Sequence, residues 1–384
     1  MTEAMNQYRR SQMRLFWGDD SLRHLGAELA RAGCSRSVLM CGKSLAARPE
    51  LLSAVVAASD HRVVAVFEGV RSHSPLESVL DARDALRDAK ADSIVALGGG
   101  SASVTARAAN ILYSEKADVR DLSTWFAADG SAVSPRLSTP KLEQFVLPTT
   151  ATTSSGKAGS AVTEPGQGER FLLFDPKTRA TAIIVDPVLA LSTPSALIRD
   201  SALTALTVAI EGVLAKSANL LSNGILLGAT RSLFRRLPEL SEDQPQREVV
   251  LEVVLSGISA GDGADAAGGG LTTALSHVLG HQFASHNGVL DAILLPHVLR
   301  FMRPAAQSAL ADVGWALDCD PVDVEAALTT VLSAAGAPTR LRDVGIPADA
   351  LPAVAQQALS EFSVRSAPRS STQQSVATLL QEAW

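Results

Sequence analysis

An alternation of short apolar runs and longer amphipathic segments in the N-terminal part of the chain constrains the fold most. The apolar runs at residues 37–41, 62–67 and 93–97 have the length and composition of buried strands. Segments of helical periodicity precede them, at residues 21–32, 44–59 and 76–89. Strands that alternate with helices of this length usually pair in parallel, so the sequence predicts a doubly wound, Rossmann-like α/β sheet.

A glycine run, Gly98-Gly99-Gly100-Ser101, directly follows the third predicted strand. Ligands of doubly wound sheets bind at the carboxyl ends of strands, where a helix begins. Glycines let a phosphate approach the backbone, and the amides of a helix N-terminus attract anions. Ser101 is placed to cap that helix and to donate its hydroxyl. The run is not a GxGxxG motif, so two interpretations stay open: a phosphate site, or a tight turn without a ligand.

A second polar loop, residues 148–156, follows the next predicted strand at residues 145–147. Its hydroxyls, among them those of Thr149, Thr150 and Ser155, suit hydrogen bonding to a diphosphate or a ribose. The alternative is a Ser/Thr-rich surface loop. Residues 171–174 and 181–185 then predict an antiparallel hairpin around a turn at residues 175–177.

Strand patterns end after Pro194, and seven segments with helical periodicity follow. They are residues 202–215, 219–234, 247–260, 271–284, 304–316, 321–335 and 347–359. Residues 262–270 (DGADAAGGG) predict a flexible link. We therefore predict an α/β domain at residues 1–187 and an all-helical domain at residues 188–384, with the active site in the cleft between them.

The composition excludes several classes of protein. With 46% hydrophobic and 19% charged residues, the chain is a globular protein, and its net charge of −6 gives no basic footprint for nucleic acid. No apolar run has the roughly 18 residues that a membrane helix needs, and the N-terminus lacks the apolar core of a signal peptide. Cys34, Cys41 and Cys319 are scattered and odd in number, which predicts a cytoplasmic protein with reduced thiols.

Four of the seven histidines, His277, His281, His286 and His297, lie in the short segment 271–297. His277 and His281 are four residues apart, so a helix places them on one face. That spacing suits two metal ligands, a proton relay or two packed histidines, and it does not choose among them. The position of His297 between Pro296 and Val298 favours packing.

Five motifs, in order, resemble the iron-containing alcohol dehydrogenase superfamily, which has the dehydroquinate synthase-like fold. They are GGGS at 98–101, PTT at 148–150, IIVDP at 183–187, TALTVAIE at 204–211 and the pair ALSHVLG and DAILLPHVLRF within 274–301. Residues 66–75 and 336–347 are most similar to the maleylacetate reductase branch. The resemblance implies an α/β domain that binds NADH or NADPH, a helical C-terminal domain, hydride transfer between them, and a homodimer.

The resemblance also assigns site residues. It implies that Gly98, Gly99, Gly100 and Ser101 bind the pyrophosphate and that Thr149, Thr150 and Ser155 line the other side of the dinucleotide. His277 matches a histidine near the nicotinamide. Gly42 stands where metal-dependent relatives carry a ribose-binding acid, which leaves NADH against NADPH open, and the GGGSxxDxxK pattern has Val104 and Arg107 in place of its acid and lysine.

The four positions at which metal-binding members hold their ion are all substituted. By the same resemblance they are Thr204, Val208, Thr273 and Asn287, and none of these side chains is a good ligand for a divalent metal. These positions are therefore predicted to face the substrate rather than a metal.

Three hypotheses follow. The first is a metal-independent, NAD(P)H-dependent reductase of a small carbonyl or enone acid, in which a protonated histidine donates to the developing alkoxide. His277 is the first choice for that acid, His281 the second and His286 the third, and Thr273 and Asn287 add neutral donors. A dianionic substrate of the maleylacetate type would need arginines, for which Arg199, Arg340 and Arg342 are candidates by position.

The second hypothesis keeps the scaffold without redox chemistry: the same histidines would act as acid and base in a dehydration, isomerisation or cyclisation. The third places a relocated metal on His277, His281 and His286, with Asp291 as the nearest carboxylate.

Overall fold

The structure is a computed structural model, and it describes residues 13–127, 131–164, 170–241 and 245–384. Residues 1–12 lie outside the described residues. The prediction that the N-terminus is no signal peptide falls largely on them. The chain divides into two compact units. One contains the described residues up to Thr150 and Ser154–Thr193, and the other contains Pro194–Trp384 together with Ala151–Thr153. The division at residues 193/194 falls slightly after the predicted boundary at 187/188.

The first unit contains ten strands and six α-helices among the described residues. The strands are β1 Arg14–Trp17, β2 Ser37–Gly42, β3 Val63–Val70, β4 Ser93–Gly98, β5 Trp125–Phe126, β6 Ala132–Val133, β7 Glu143–Pro148, β8 Gly159–Thr163, β9 Arg170–Phe174 and β10 Ala182–Val185. The helices are α1 His24–Arg31, α2 Lys43–Ala46, α3 Pro49–Ala58, α4 Leu76–Asp88, α5 Gly100–Glu115 and α6 Pro187–Leu191.

Six of these strands form one parallel sheet in the order β1-β10-β7-β4-β2-β3. Strands β2, β4 and β10 are buried over nearly their whole length, as expected of a parallel sheet that is covered on both faces. The core on one face joins Leu39, Val95 and Phe145 from the sheet to Leu25 of α1 and Val55 of α3. The predicted parallel α/β domain is confirmed.

The sheet has its topological switch point between β2 and β4. From β2 the chain proceeds to β3 on one side, and it then returns to β4 on the other side of β2. The crevice outside the carboxyl ends of two such strands is where open α/β sheets bind their ligands. Gly42 and Gly98 lie at these two strand ends.

Three local predictions are wrong. Strand β10 pairs in parallel with β1 and β7, and β9 pairs antiparallel with β8, so the predicted hairpin does not form. The predicted helix at residues 44–59 is divided into α2 and α3 because Pro49 opens a new helix and the preceding Arg48 leaves the helical region (φ −117°, ψ 79°). The predicted link at residues 262–270 is mostly helical.

The second unit is helical among its described residues, as predicted. Its helices are α7 Ser195–Leu214, α8 Leu220–Arg236, α9 Arg247–Ala267, α10 Leu271–Phe283, α11 Asn287–Met302, α12 Gln307–Leu317, α13 Val324–Ala334, α14 Leu351–Ala358 and α15 Gln373–Ala383. Helix α7 is long and buried on most sides, and it packs against α8, α9 and α11. Helix α10 packs between α11 and α14, so α7, α10 and α11 meet.

Candidate functional site

The glycine turn of the α/β unit lies beside the start of the hydroxyl-rich loop. Gly98 and Pro148 are register partners at the ends of β4 and β7, and the amide of Thr149 donates to the carbonyl of Gly98 at 3.0 Å. Gly98 has φ +138°, a conformation that glycine adopts without strain. A Cβ on Gly99 would lie 3.2 Å from Oγ1 of Thr150. Gly99 therefore packs closely against Thr150, and a larger residue at this position would force the side chain of Thr150 to move.

The rest of the loop is held against the same helix. Arg107, buried within α5, donates through Nη1 to the carbonyl of Ser154 at 2.5 Å and through Nε to Oγ of Ser160 at 3.4 Å. The hydroxyl of Ser154 contacts the carbonyl of Gly100 at 3.4 Å. Arg107 thus fixes the loop to the start of α5.

Ser155 is completely buried, and its Oγ has no hydrogen-bond partner within the described ranges. A buried hydroxyl without a partner is costly unless a ligand or water satisfies it. Together with the glycine turn and the N-terminus of the 16-residue helix α5, which has no side-chain cap, this hydroxyl forms a donor set that suits the phosphate groups of a dinucleotide. The predicted residues from Gly98 to Ser101, Thr149, Thr150 and Ser155 are brought to one strand end.

In the helical unit, three helices each present a pair of residues at a spacing of four. The pairs are Thr204 and Val208 on α7, Thr273 and His277 on α10, and Asn287 and Asp291 on α11. This spacing places the two members of each pair on one face of the helix. Two hydrogen bonds tie the helices together there: Thr204 Oγ1 to Asp291 Oδ2 at 2.8 Å, and Thr273 Oγ1 to Glu211 Oε2 at 2.7 Å.

Glu211 caps α10 from a neighbouring helix. Its carboxylate accepts the amide of Thr272 at 2.6 Å and both the amide and the hydroxyl of Thr273, at 3.1 and 2.7 Å. The residue before α10 is Gly270, which has no side chain with which to cap the helix. Burial raises the pKa of Glu211, although the hydrogen bonds from Thr273 and Thr272 act in the lowering direction.

Asp291 is the second buried carboxyl of this cluster, with only 2% of its surface exposed. Its Oδ2 accepts from Thr204, whereas its Oδ1 has no hydrogen-bond partner in the described part of the chain. Burial raises the pKa of Asp291 to about 7; the hydroxyls of Ser276 and Thr204 lower it, and the charge of Glu211 raises it.

The predicted catalytic histidines lie in separate surroundings. His277 is partly buried on α10, with Nδ1 3.7 Å from Oε2 of Glu361. His286 precedes α11, is more than half exposed, and has Nδ1 3.0 Å from Oδ2 of Asp200. His281 lies in the last turn of α10. His277 and His286 contact different carboxylates, and no group of three or more His, Cys, Asp or Glu side chains in the described ranges could hold a metal ion.

His297 is partly buried, Arg199 and Arg342 have side-chain partners, and the third candidate arginine, Arg340, is exposed. His297 lies on α11, where burial lowers the pKa of its imidazole. Arg199 donates to Oδ1 of Asp200 at 2.9 and 3.1 Å, and the guanidinium of Arg342 lies over the ring of Trp384 at 5.8 Å. The expectation that Arg199 is available for substrate charge is weakened, because Asp200 already neutralises it.

The sequence pattern does not single out four carboxylates of this unit. Glu211 stands only at the end of the TALTVAIE motif, Asp291 is marked only as a possible metal ligand, and nothing marks Asp200 or Glu361. The one available signal is spacing: Asp291 follows Asn287 by four residues, and Glu211 follows Thr204 by seven, so each lies on the predicted site face of its helix.

Fold and site define a two-part enzyme with a dinucleotide-type α/β unit and a helical unit that carries acids and histidines. The sequence profile "Iron-containing alcohol dehydrogenase" matches residues 13–187, and "Fe-containing alcohol dehydrogenase family, C-terminal" matches residues 199–384. The chain therefore belongs to the iron-containing alcohol dehydrogenase family, a family of oxidoreductases.

Two relatives and one solved structure illustrate the similarity. The chain is 27% identical over 378 residues to lactaldehyde reductase of Escherichia coli, covering 95% of this chain and 94% of that protein. It is 29% identical over 351 residues to maleylacetate reductase 1 of Cupriavidus pinatubonensis, covering 91% and 89%. The crystal structure of sulfoacetaldehyde reductase from Bifidobacterium kashiwanohense in complex with NAD+ has a TM-score of 0.86 at 20% identity, covering 99% of each chain, which supports the fold.

The family's name implies a bound iron ion, and the side chains at the four positions that the sequence resemblance assigns to that ion are poor ligands for it. Thr204 and Thr273 offer neutral hydroxyls that are engaged with Asp291 and Glu211, and Val208 offers no donor atom. Asn287 offers one amide oxygen. Across the described ranges, no group of three or more His, Cys, Asp or Glu side chains lies close enough together to hold a metal ion. The chemistry of this donor set is poor for any divalent metal.

Among the described helices, none combines the length and the apolar character that crossing a lipid bilayer requires.

Proposed function

We propose that the protein is a metal-independent, NAD(P)H-dependent reductase of a small carbonyl or enone acid, similar to the maleylacetate reductases. One feature carries this proposal: the glycine turn and the hydroxyl-rich loop suit a dinucleotide, whereas hydroxyl, aliphatic and amide side chains stand at the four positions that the sequence resemblance assigns to the metal. The named relatives are reductases of an aldehyde and of maleylacetate, which supports carbonyl reduction. A cytoplasmic location and a homodimer remain predictions.

The α/β unit would hold the dinucleotide. The amides of Gly100 and Ser101, at the N-terminus of α5, would bind the pyrophosphate, and Thr149, Thr150 and the unpartnered hydroxyl of Ser155 would bind the other side. Bound NADH or NADPH supplies the hydride. Strand β2 ends at Gly42, which has no side chain to bind a ribose hydroxyl, so the titration compares NADH with NADPH.

The helical unit would supply the proton and the hydrogen bonds. Hydride addition to a carbonyl carbon leaves negative charge on the oxygen, and without a metal that charge needs hydrogen-bond donors and an acid. His277 is partly exposed, and its Nδ1 lies 3.7 Å from Oε2 of Glu361, which can hold the ring in place. We assign His277 as the proton donor, with His281 and His286 as the second and third choices.

The experiment measures cofactor binding and turnover together. Purified protein is titrated with NADH and NADPH by fluorescence and then assayed with a panel of oxo-acids, aldehydes and enones. We expect micromolar to millimolar cofactor binding and turnover of a small carbonyl acid. His277→Ala should abolish turnover and leave nucleotide affinity and the circular dichroism spectrum nearly unchanged. His297→Ala is the matched control, because that histidine lies on α11 outside the proposed acid set.

Two outcomes would change the proposal. Full activity in His277→Ala would contradict the assignment of the proton donor. Absence of NADH and NADPH binding would favour the non-redox alternative, in which the same histidines catalyse a dehydration, isomerisation or cyclisation.

A further inference from the structure

The hydrogen bond between Thr204 and Asp291 joins a partly exposed hydroxyl to a buried carboxyl. We propose that the Thr204 hydroxyl contacts the substrate and donates to its carbonyl oxygen, and that Asp291 is the positioning residue that aims this hydroxyl from behind. This inference rests on the proposed carbonyl reduction and adds the electrophile that the reaction needs.

Asp291 has an arrangement that a purely structural carboxylate rarely has. A buried carboxylate is normally paired with a cation or saturated with hydrogen bonds, because burying an unpaired charge is costly. Within the described residues Asp291 makes no ion pair, and its Oδ1 has no partner. The nearby hydroxyl of Ser276 donates to the backbone carbonyl of Thr273 at 3.2 Å. Among the described residues, Thr204 is therefore the one side chain that makes a direct hydrogen bond to Asp291.

The direction of that hydrogen bond depends on the proton of Asp291. A threonine hydroxyl has one hydrogen. When Asp291 is ionised, Thr204 donates to it and presents only lone pairs to a ligand. When Asp291 is neutral, its O–H donates to Oγ1 of Thr204, and the threonine hydrogen is released toward the substrate. A neutral Asp291 thus makes Thr204 a donor, which suits a carbonyl, and an ionised Asp291 makes it an acceptor, which suits an alcohol.

The surroundings favour the neutral form near neutral pH. On α7 the charged group that bears on Asp291 is Glu211, which disfavours a second negative charge. On α10 the groups are the hydroxyls of Thr273 and Ser276, and His277 of the same helix contacts Glu361. No lysine or arginine is paired with Asp291 among the described residues.

The reaction step balances without any further reactant. The hydride of NADH or NADPH forms a C–H bond to the carbonyl carbon, the cofactor is oxidised, and the π electrons move to the oxygen. That oxygen accepts the Thr204 hydrogen bond as its charge develops and then takes a proton from His277. Thr204 keeps its own proton, and His277 regains one from solvent.

The test uses four variants of the full-length protein: Thr204→Val, Thr204→Ser, Asp291→Asn and Thr207→Val. Thr207 is the matched control, because it lies on the same helix and its buried Oγ1 has no partner in the described residues. We expect Thr204→Val to lower kcat by about a hundredfold, the usual effect of removing one oxyanion donor. Thr204→Ser should keep most activity, and Thr207→Val should keep all of it.

The pH profile separates positioning from a structural role. For wild type, we expect kcat/KM for carbonyl reduction to fall as the pH rises through about 7, where Asp291 ionises. In Asp291→Asn the amide N–H donates to Thr204 at every pH, so activity should persist. The part of the fall that Asp291 causes should disappear, and the part caused by loss of the donor proton of His277 should remain. Infrared difference spectra of the protein without cofactor should show a protonated carboxyl band at pH 6 that is absent from Asp291→Asn.

Several results would overturn the inference. Equal activity of Thr204→Val and Thr207→Val would show that the hydroxyl does not act on substrate. An unchanged pH profile in Asp291→Asn, or a missing carboxyl band in wild type, would show that Asp291 does not aim it. A wild type that reduces no carbonyl would instead refute the proposed function, and this inference with it.

Discussion

Replacing Asp291 by asparagine should make the stability of the protein less dependent on pH. In the folded protein burial raises the pKa of Asp291 from 3.8 to about 7. The sign follows from linkage: as the pH rises above 3.8 the unfolded chain releases this proton and the folded chain still holds it. The contribution of Asp291 to the free energy of unfolding therefore falls steadily as the pH rises to about 7, and it stays constant above that pH. Asparagine has no proton to release, so the variant lacks this loss.

The size of the effect follows from the same interval. Each unit of pKa difference between the unfolded and folded states corresponds to 1.36 kcal/mol in the free energy of unfolding. The difference between 3.8 and about 7 therefore corresponds to about 4 kcal/mol. Between pH 5 and pH 8 the stability of Asp291→Asn relative to wild type should rise by about 3 kcal/mol. For a helical unit of this size, that corresponds to roughly 5 to 12 °C in the melting temperature.

The assay is thermal unfolding of wild type and variant, followed by circular dichroism at half-unit steps from pH 5 to pH 8. The control is Asp312→Asn, because Asp312 is an exposed aspartate on α12. Its difference from wild type should be the same at every pH. If Asp291→Asn also showed a pH-independent difference, Asp291 would not be held neutral, and our reasoning about its burial would be wrong.

Two further substitutions test the two halves of the site. Gly99→Ala places a Cβ 3.2 Å from Oγ1 of Thr150. We therefore expect about tenfold weaker NADH or NADPH affinity in a fluorescence titration, with an unchanged melting temperature. Unchanged affinity would show that Gly99 does not belong to the cofactor site. Glu211→Ala leaves two amides and one hydroxyl of α10 without their acceptor, so we expect a loss of about 2–4 kcal/mol in denaturant unfolding at pH 5, and a loss under about 1 kcal/mol would contradict the capping role.

The sequence predicts the parallel sheet well because buried strands are continuous apolar runs. Strands β2 and β4 begin where the runs at residues 37–41 and 93–97 begin. It misses β8 (GSAVT), because that strand is half polar. It finds β9 but gives it the wrong partner, because the pairing with β8 depends on tertiary contacts rather than on local pattern. It also fails for residues 262–267, where tertiary packing overrides the weak helix propensity of aspartate and glycine.

The sequence predicts the glycine turn of the candidate site, but it does not predict the buried carboxylates Asp291 and Glu211 or their partners. The glycine turn follows from a strand end. The positions Thr204, Val208 and Thr273 on α7 and α10 come from the resemblance to the family, and helical spacing supplies only the pairing of His277 with His281 on one face. The pairing of Thr204 with Asp291, and of Thr273 with Glu211, joins residues 87 and 62 positions apart in the chain. No local pattern encodes such pairs, since they depend on how α7, α10 and α11 pack.

The most direct test of the central claim is carbonyl reduction by protein from which metal has been removed. Protein treated with a strong chelator is analysed for iron and zinc by mass spectrometry and is then assayed for NADH or NADPH oxidation with the best carbonyl acid of the panel. We predict undiminished turnover at metal contents far below one ion per chain, and no stimulation when iron or zinc is added back. Activity that is lost with the metal and restored by one equivalent of it would contradict a metal-independent mechanism.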